Sequence, residues 1–194
     1  MRESLSTKKE TVKVCHTLLG DPKFFQLLLQ IDIDLAEQTR VRNCSCGGAL
    51  HRANYPRKPR GCLNEARADF ASRFSFCCSQ CRKRTTAMSV RFLGRRVYLS
   101  LAVVLLSARL AEPTATAARL CQTLAVPVRT LRRWQQWWTQ YFPVTPLWQA
   151  ACARFMPPVA TTELPTSLIV RFAGCAAESM HRILTFLTPL TVRQ

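Results

Sequence analysis

The chain has 194 residues, 48% of them apolar, so it is long enough to bury a core and too apolar for wholesale disorder. Lys and Arg number 28 against 11 Asp and Glu, a formal net charge of +17 that suits a polyanionic partner. Most of the cations are arginine, whose planar fork pairs bidentately with phosphate and with guanine edges.

An acidic lipid surface would use the same charge, but the basic residues are clustered, which favours nucleic acid. The opening "MRESLSTKKE" lacks the apolar stretch of a secretory signal. The most apolar run, "VYLSLAVVLLSARLA" (97–111), is too short to span a bilayer and carries Arg109. Ten cysteines without a signal peptide imply reduced thiols in a cytoplasmic protein, hence core residues or metal ligands rather than disulfides.

Residues 1–40 read as a helical lead-in. Thr7 with Glu10 fits a capping box, and Gly20 suits a helix end. Asp21 and Pro22 then open a second helix with Phe24, Leu27, Leu28, Ile31 and Leu35 along one stripe. Residues 41–96 lose the helical period, gain Gly and Pro, and hold six of the ten cysteines with only Glu65 and Asp69 for acids. Short strands joined by turns are predicted there. From 97 onward helices return, at roughly 97–110, 115–124, 128–141, 145–155 and 166–187, with prolines as punctuation. The expected fold class is mainly α with a small β zinc ribbon, an α+β protein divided at 1–40, 41–96 and 97–194.

The cysteines of 41–96 pose a choice between metal, redox and core roles. A zinc ribbon needs two tight turns, each giving two thiolates, joined by a β-hairpin. "CSCGG" supplies Cys44 and Cys46, and "CSQC" supplies Cys78 and Cys81. The intervening residues allow a hairpin running out through "ALHRANYPRKPRG" and back through "RFSFC". The first turn, C-x-C, is one residue shorter than the usual C-x-x-C. Adjacent strand residues face opposite ways, so Cys77 and Cys78 cannot both reach one metal. Cys78 gives the C-x-x-C spacing and Cys77 is expected to pack inward, with His51 and Cys62 as substitute ligands should Cys44 fail. A redox C-x-x-C would open a helix in a βαβ setting, which is absent. Cys15, Cys121, Cys152 and Cys175 fall on apolar helix faces and read as core.

Two basic stretches flank this ribbon: "NYPRKPRG", with Arg57, Lys58 and Arg60 near the hairpin tip, and Arg82, Lys83 and Arg84 after the second turn. Either grips phosphates or is a solvated turn. A sharper pattern lies at 115–138. A helix-turn-helix wants a small residue in its first helix, a small one at the turn, an apolar one next, then a polar second helix with apolar anchors. Cys121, Ala125 and Val126 fill the first places, Pro127 starts the second helix, and Leu131 and Trp134 anchor it. Arg129, Thr130, Arg132 and Arg133 are left to face DNA. An ordinary helical hairpin is the bland alternative. Trp137, Trp138, Tyr141, Phe142 and Trp148 read as core rather than a base-stacking platform.

A ribbon ending "CSQCRKRTT…SVRF", followed by a helix and a helix-turn-helix, resembles the DNA-recognition region of bacterial insertion-sequence transposases over residues 44–138. The resemblance implies zinc on Cys44, Cys46, Cys78 and Cys81 and a DNA-reading helix at 128–138. Those transposases also carry an RNase-H-like domain with three catalytic carboxylates. Here only Glu163 and Glu178 follow Glu112. Histidines 16, 51 and 181 are scattered, and no phosphate-binding glycine loop occurs, so no enzyme is expected.

The last helix, 166–187, places Leu168, Phe172, Cys175, Met180, Ile183 and Leu187 on one side, for intrachain packing or a homodimer seam. The expectation is therefore a zinc-containing protein that binds double-stranded DNA as an accessory or regulator of a mobile element. An RNA-binding ribbon protein and an adaptor using its last helix are the alternatives.

Overall fold

The computed structural model of the chain describes residues 18–19, 21–62, 64–93, 98–109, 122, 124, 126–172 and 174–192. The Thr7–Glu10 capping box, Cys15, His16, Gly20, Cys121, Ala125 and nearly all of the 115–124 helix lie outside these residues. Helices with small antiparallel sheets make the chain a mixed α+β protein. It divides into two compact units. One joins Pro22–Ser100 to Leu184–Gln194; the other comprises Leu101–Ile183 with Met1–Asp21.

The first unit starts with helix α1 (Pro22–Val41), proline at its first position as expected. Its inward face is Phe24, Phe25, Leu28, Asp32 and Ala36, not the predicted stripe. Leu27 is 44% exposed, and Ile31 and Leu35 are half-buried. The face is turned because Asp32 is fully buried. Its carboxylate accepts from Arg91 Nε at 2.7 Å, the Val90 N–H at 2.7 Å and the Ser89 hydroxyl. Arg91 also donates to the carbonyls of Asp69 and Ser72 and lies over the rings of Phe70, Phe74 and Phe92. A buried charge persists only when paired and hydrogen-bonded, and both conditions are met here.

Among the described residues five strands follow: β1 (Leu50–Arg52), β2 (Tyr55–Pro56), β3 (Ser72–Arg73), β4 (Ser75–Cys78) and β5 (Arg84–Thr86). They form an antiparallel three-stranded sheet in the order β1-β4-β5 and an antiparallel pair β2-β3. The outgoing chain of β1 and β2 thus pairs with the returning chain of β3 and β4. Between the two sheets Asn54 bends the ladder: its side-chain oxygen accepts from the Ser75 N–H, and the Ala53 N–H reaches the Ser75 carbonyl. Leu50, Phe76 and Cys78 point to the face that packs with Ala36, Cys44, Ala87 and Phe74. Alternation then leaves His51, Cys77 and Arg84 in one row across the opposite face. Arg73 is also internal, donating to the carbonyls of Ala87 and Thr191.

In the second unit, helix α2 (Ser100–Arg109, its first residue grouping with the other unit) buries every residue from Leu101 to Leu106, as a helix apolar all round must. Helix α3 (Val128–Gln136) buries Leu131 and Trp134 and continues through a π-turn, Trp137–Tyr141. The expected aromatic core is present. Trp138 packs on Phe142 at 5.0 Å, Phe142 on Trp148 at 5.2 Å, and Trp148 stacks on Phe155 at 5.8 Å. Tyr141 departs from it, 55% exposed.

Helix α4 is short (Pro146–Ala151), passing into a 3-10 turn at Cys152–Arg154 in place of a helix to 155. The single helix expected at 166–187 is two, α5 (Thr166–Ile169) and α6 (Ala176–Phe186). Gly174, at φ +130°, breaks them, a conformation side-chain-bearing residues rarely take. Glu178 then accepts from the Cys175 N–H, closing one half of a capping box. Cys175 is therefore exposed at a helix start and Cys152 only half-buried, where core positions were expected.

Candidate metal centre

The first cysteine turn grows out of the end of α1. Asn43 takes a left-handed φ of +57°, a conformation Asn tolerates, and stops the helix. The chain then closes on itself. The Gly47 N–H donates to the Cys44 carbonyl at 2.8 Å, and the Cys44 N–H to the Gly48 carbonyl at 3.0 Å. Gly47, at φ +83°, makes this turn possible in five residues and so compensates for the short C-x-C spacing.

The second turn joins β4 to β5. The Cys78 N–H donates to the Lys83 carbonyl at 3.0 Å, and Arg82 reverses the chain at φ +60°. The Ser79 N–H donates to the Ala49 carbonyl at 2.9 Å, tying this turn to the residues that follow the first.

The two turns bring four sulfurs together. The Sγ atoms of Cys44, Cys46, Cys78 and Cys81 all lie within 4.8 Å of one another. Cys44 and Cys81 are 3.6 Å apart, Cys46 and Cys78 3.5 Å. Zn–S bonds of about 2.3 Å in a tetrahedron would put sulfurs roughly 3.8 Å apart, so the cage has the right size for such an ion. Cys44 and Cys78 are buried while Cys46 and Cys81 face outward, which leaves an entry path.

The thiols do not titrate alike. Backbone N–H groups, first that of Cys81, hold Cys78 down to about 6. The Cys46 N–H and then the Cys81 thiol lower Cys44. Cys81 accepts the Lys83 N–H, yet its three neighbouring sulfurs, Cys46 foremost, push it up to about 12. Four thiolates in one cage repel one another, and a bound cation removes that repulsion.

Cys77 stands outside the cluster. It is half-buried on the other face of β4, and its thiol donates to the Arg82 carbonyl at 3.5 Å rather than packing inward. His51 is exposed, and Cys62 is buried elsewhere with its thiol pushed up by burial. Among the described residues, neither joins the cage.

The predicted contact residues fall in two groups. Lys58, Arg60, Arg82, Lys83 and Arg84 are exposed on the first unit, with Arg57 half-buried. On α3, Arg129, Arg132 and Arg133 are exposed and Thr130 half-buried, opposite the buried Leu131 and Trp134. Not every basic residue of 41–96 is surface: Arg73 and Arg91 are structural. A feature the sequence hid is Tyr55, whose ring carries Arg57 at 5.4 Å and Arg84 at 5.9 Å. Only the fold brings Arg84 to it.

No protein-family model, curated protein or solved structure gives a significant match to the chain. Among the described residues, no helix is long and apolar enough to cross a membrane.

Proposed function

We propose that the chain is a zinc-containing DNA-binding protein, an accessory or regulatory protein of a mobile element. Zinc, closed in by four thiolates with no open coordination position, would be structural and would contribute to folding outright. The observation that carries the metal reading is the sulfur cage of Cys44, Cys46, Cys78 and Cys81.

The DNA reading draws on charge and on α3. This helix divides into a buried Leu131–Trp134 side and an exposed Arg129–Arg132–Arg133 side. It is the arrangement a recognition helix needs to be anchored and to reach base edges at once. The net charge of +17 supports attraction to the phosphate backbone, with the ribbon arginines as non-selective contacts.

The test has two arms. Metal content by mass spectrometry should give one zinc per chain, lost in the Cys78→Ser, Cys81→Ser double variant. In selection from random duplexes followed by anisotropy, Arg129→Ala, Arg132→Ala, Arg133→Ala should abolish sequence preference while leaving zinc in place. A metal-free parent protein overturns the first part. Unchanged selectivity in the triple variant overturns the second, and selective RNA binding in its place would favour an RNA-binding ribbon.

A further inference from the structure

Tyr55 lies on β2, Arg57 just after it, and Arg84 on β5, 27 positions beyond Arg57. Both guanidinium groups settle over the one phenol ring, at 5.4 and 5.9 Å. Arg84 is held a second time: Nη1 donates to the Ala53 carbonyl at 3.1 Å. A guanidinium has five N–H donors in a rigid fork, so one bond to a carbonyl and one ring contact leave most of the fork of exposed Arg84 to solvent. Holding the side chain in advance removes much of the rotamer entropy that a flexible cation loses on binding.

The surroundings are cationic. Arg57, Lys58 and Arg60 follow Tyr55, and Lys83 precedes Arg84. Glu65 and Asp69 are the only acids between residues 41 and 96.

We infer that Tyr55 is a positioning residue that presets Arg84 and Arg57 as a clamp for one phosphodiester of a nucleic-acid backbone. This rests on the reading of the ribbon as a nucleic-acid contact, and it assigns the clamp no part in sequence choice, since a phosphate carries no base identity. The ring's role is to hold the two forks, which a phenylalanine would also do and a leucine would not.

The experiment measures binding of the full-length, metal-loaded protein to fluorescent duplexes across a salt series, with Arg84→Gln, Tyr55→Leu and Tyr55→Phe. Arg84→Gln keeps a donor for Ala53 and removes the charge. It should lower the slope of log affinity against log salt by about one, and weaken all duplex sequences by the same factor. Tyr55→Leu should move the same way and Tyr55→Phe should restore the parent slope, with zinc content unchanged in each.

A parent protein that binds duplexes whose slope none of the variants alters would overturn the clamp while leaving the DNA reading intact. Failure of the parent to bind any oligonucleotide would overturn both. Binding only to vesicles of acidic phospholipid would reassign the basic surface to a membrane. Should Arg84→Gln lose its metal, the Tyr55→Leu and Tyr55→Phe pair alone decides.

Discussion

Gly48 sits against the sulfur of Cys78: a β-carbon at residue 48 would stand 2.7 Å from Sγ and 3.0 Å from Gln80 Cγ. Real β-carbons essentially never approach so closely, and the sulfur on the other side is a member of the cage. Gly48→Ala is expected to displace Cys78 and lower metal occupancy. Gly47→Ala is the contrast: a β-carbon there meets nothing within 4 Å, so only the left-handed φ is penalised. It should cost about 1 kcal/mol and retain the metal. Metal content and thermal midpoints of the two variants check the pair.

The buried pair Asp32–Arg91 should dominate the stability of its unit. Asp32→Asn leaves the Arg91 guanidinium fully buried without its counter-charge, and is expected to cost about 3–5 kcal/mol. The exposed Glu37–Arg40 pair on the same helix is the control, and Glu37→Gln should leave the urea midpoint where it was. Equal effects from the two changes would contradict the account.

The cage should be proton-linked in a defined direction. Cys78 falls from an ordinary 9.0 to about 6, so in the metal-free protein its thiolate stabilises the fold above 9 and loses that contribution as pH falls through 6. Cys81 is raised to about 12, so its protonated form stabilises the metal-free fold below 9 and loses that as pH rises through 12. At pH 7 Cys78 is already ionised while Cys81 holds a proton that zinc must displace. Adding zinc to metal-free protein in weak buffer at pH 7 should therefore release protons, read by a pH dye. Zinc retention should fall steeply below pH 6.

In the helical unit, Trp138 is fully buried and its indole Nε1 has no hydrogen-bond partner among the described residues. An orphaned buried donor costs about 1–3 kcal/mol, so Trp138→Phe removes a penalty along with volume and is expected to lose less than about 1.5 kcal/mol. Phe142→Ala, in the same aromatic cluster, should lose about 3–5 kcal/mol. Denaturant midpoints distinguish them.

Sequence patterns served best where geometry is local. The C-x-C and C-x-x-C spacings located all four sulfurs, and strand alternation with the C-x-x-C spacing separated Cys78 from Cys77. Leu131 and Trp134, expected as the anchors of the 128–138 helix, are the residues that α3 buries. Two of the misses share a cause: each depended on a partner distant in sequence. The buried face of α1 turned because Asp32 meets Arg91, 59 residues away. Arg73 and Arg91 are internal, and nothing nearby in the chain marks them as such among the basic residues of 41–96. The break in the last helix is local: it falls at Gly174, inside the stretch expected to form a single helix.

The unit that holds the cage is not continuous in the chain. Arg73 donates to the Thr191 carbonyl, and the Ser89 N–H to the Thr191 hydroxyl. Every sulfur of the cage has left the ribosome well before residue 191 is made, and the whole of Leu101–Ile183 is synthesised in between. During that interval the sheet exists without the contacts of Thr191, and the sulfur cage and the Asp32–Arg91 pair are ties that residues before 101 supply on their own. A metal ion held by these thiolates would act as an early fastening in vectorial folding, with the Thr191 contacts added later.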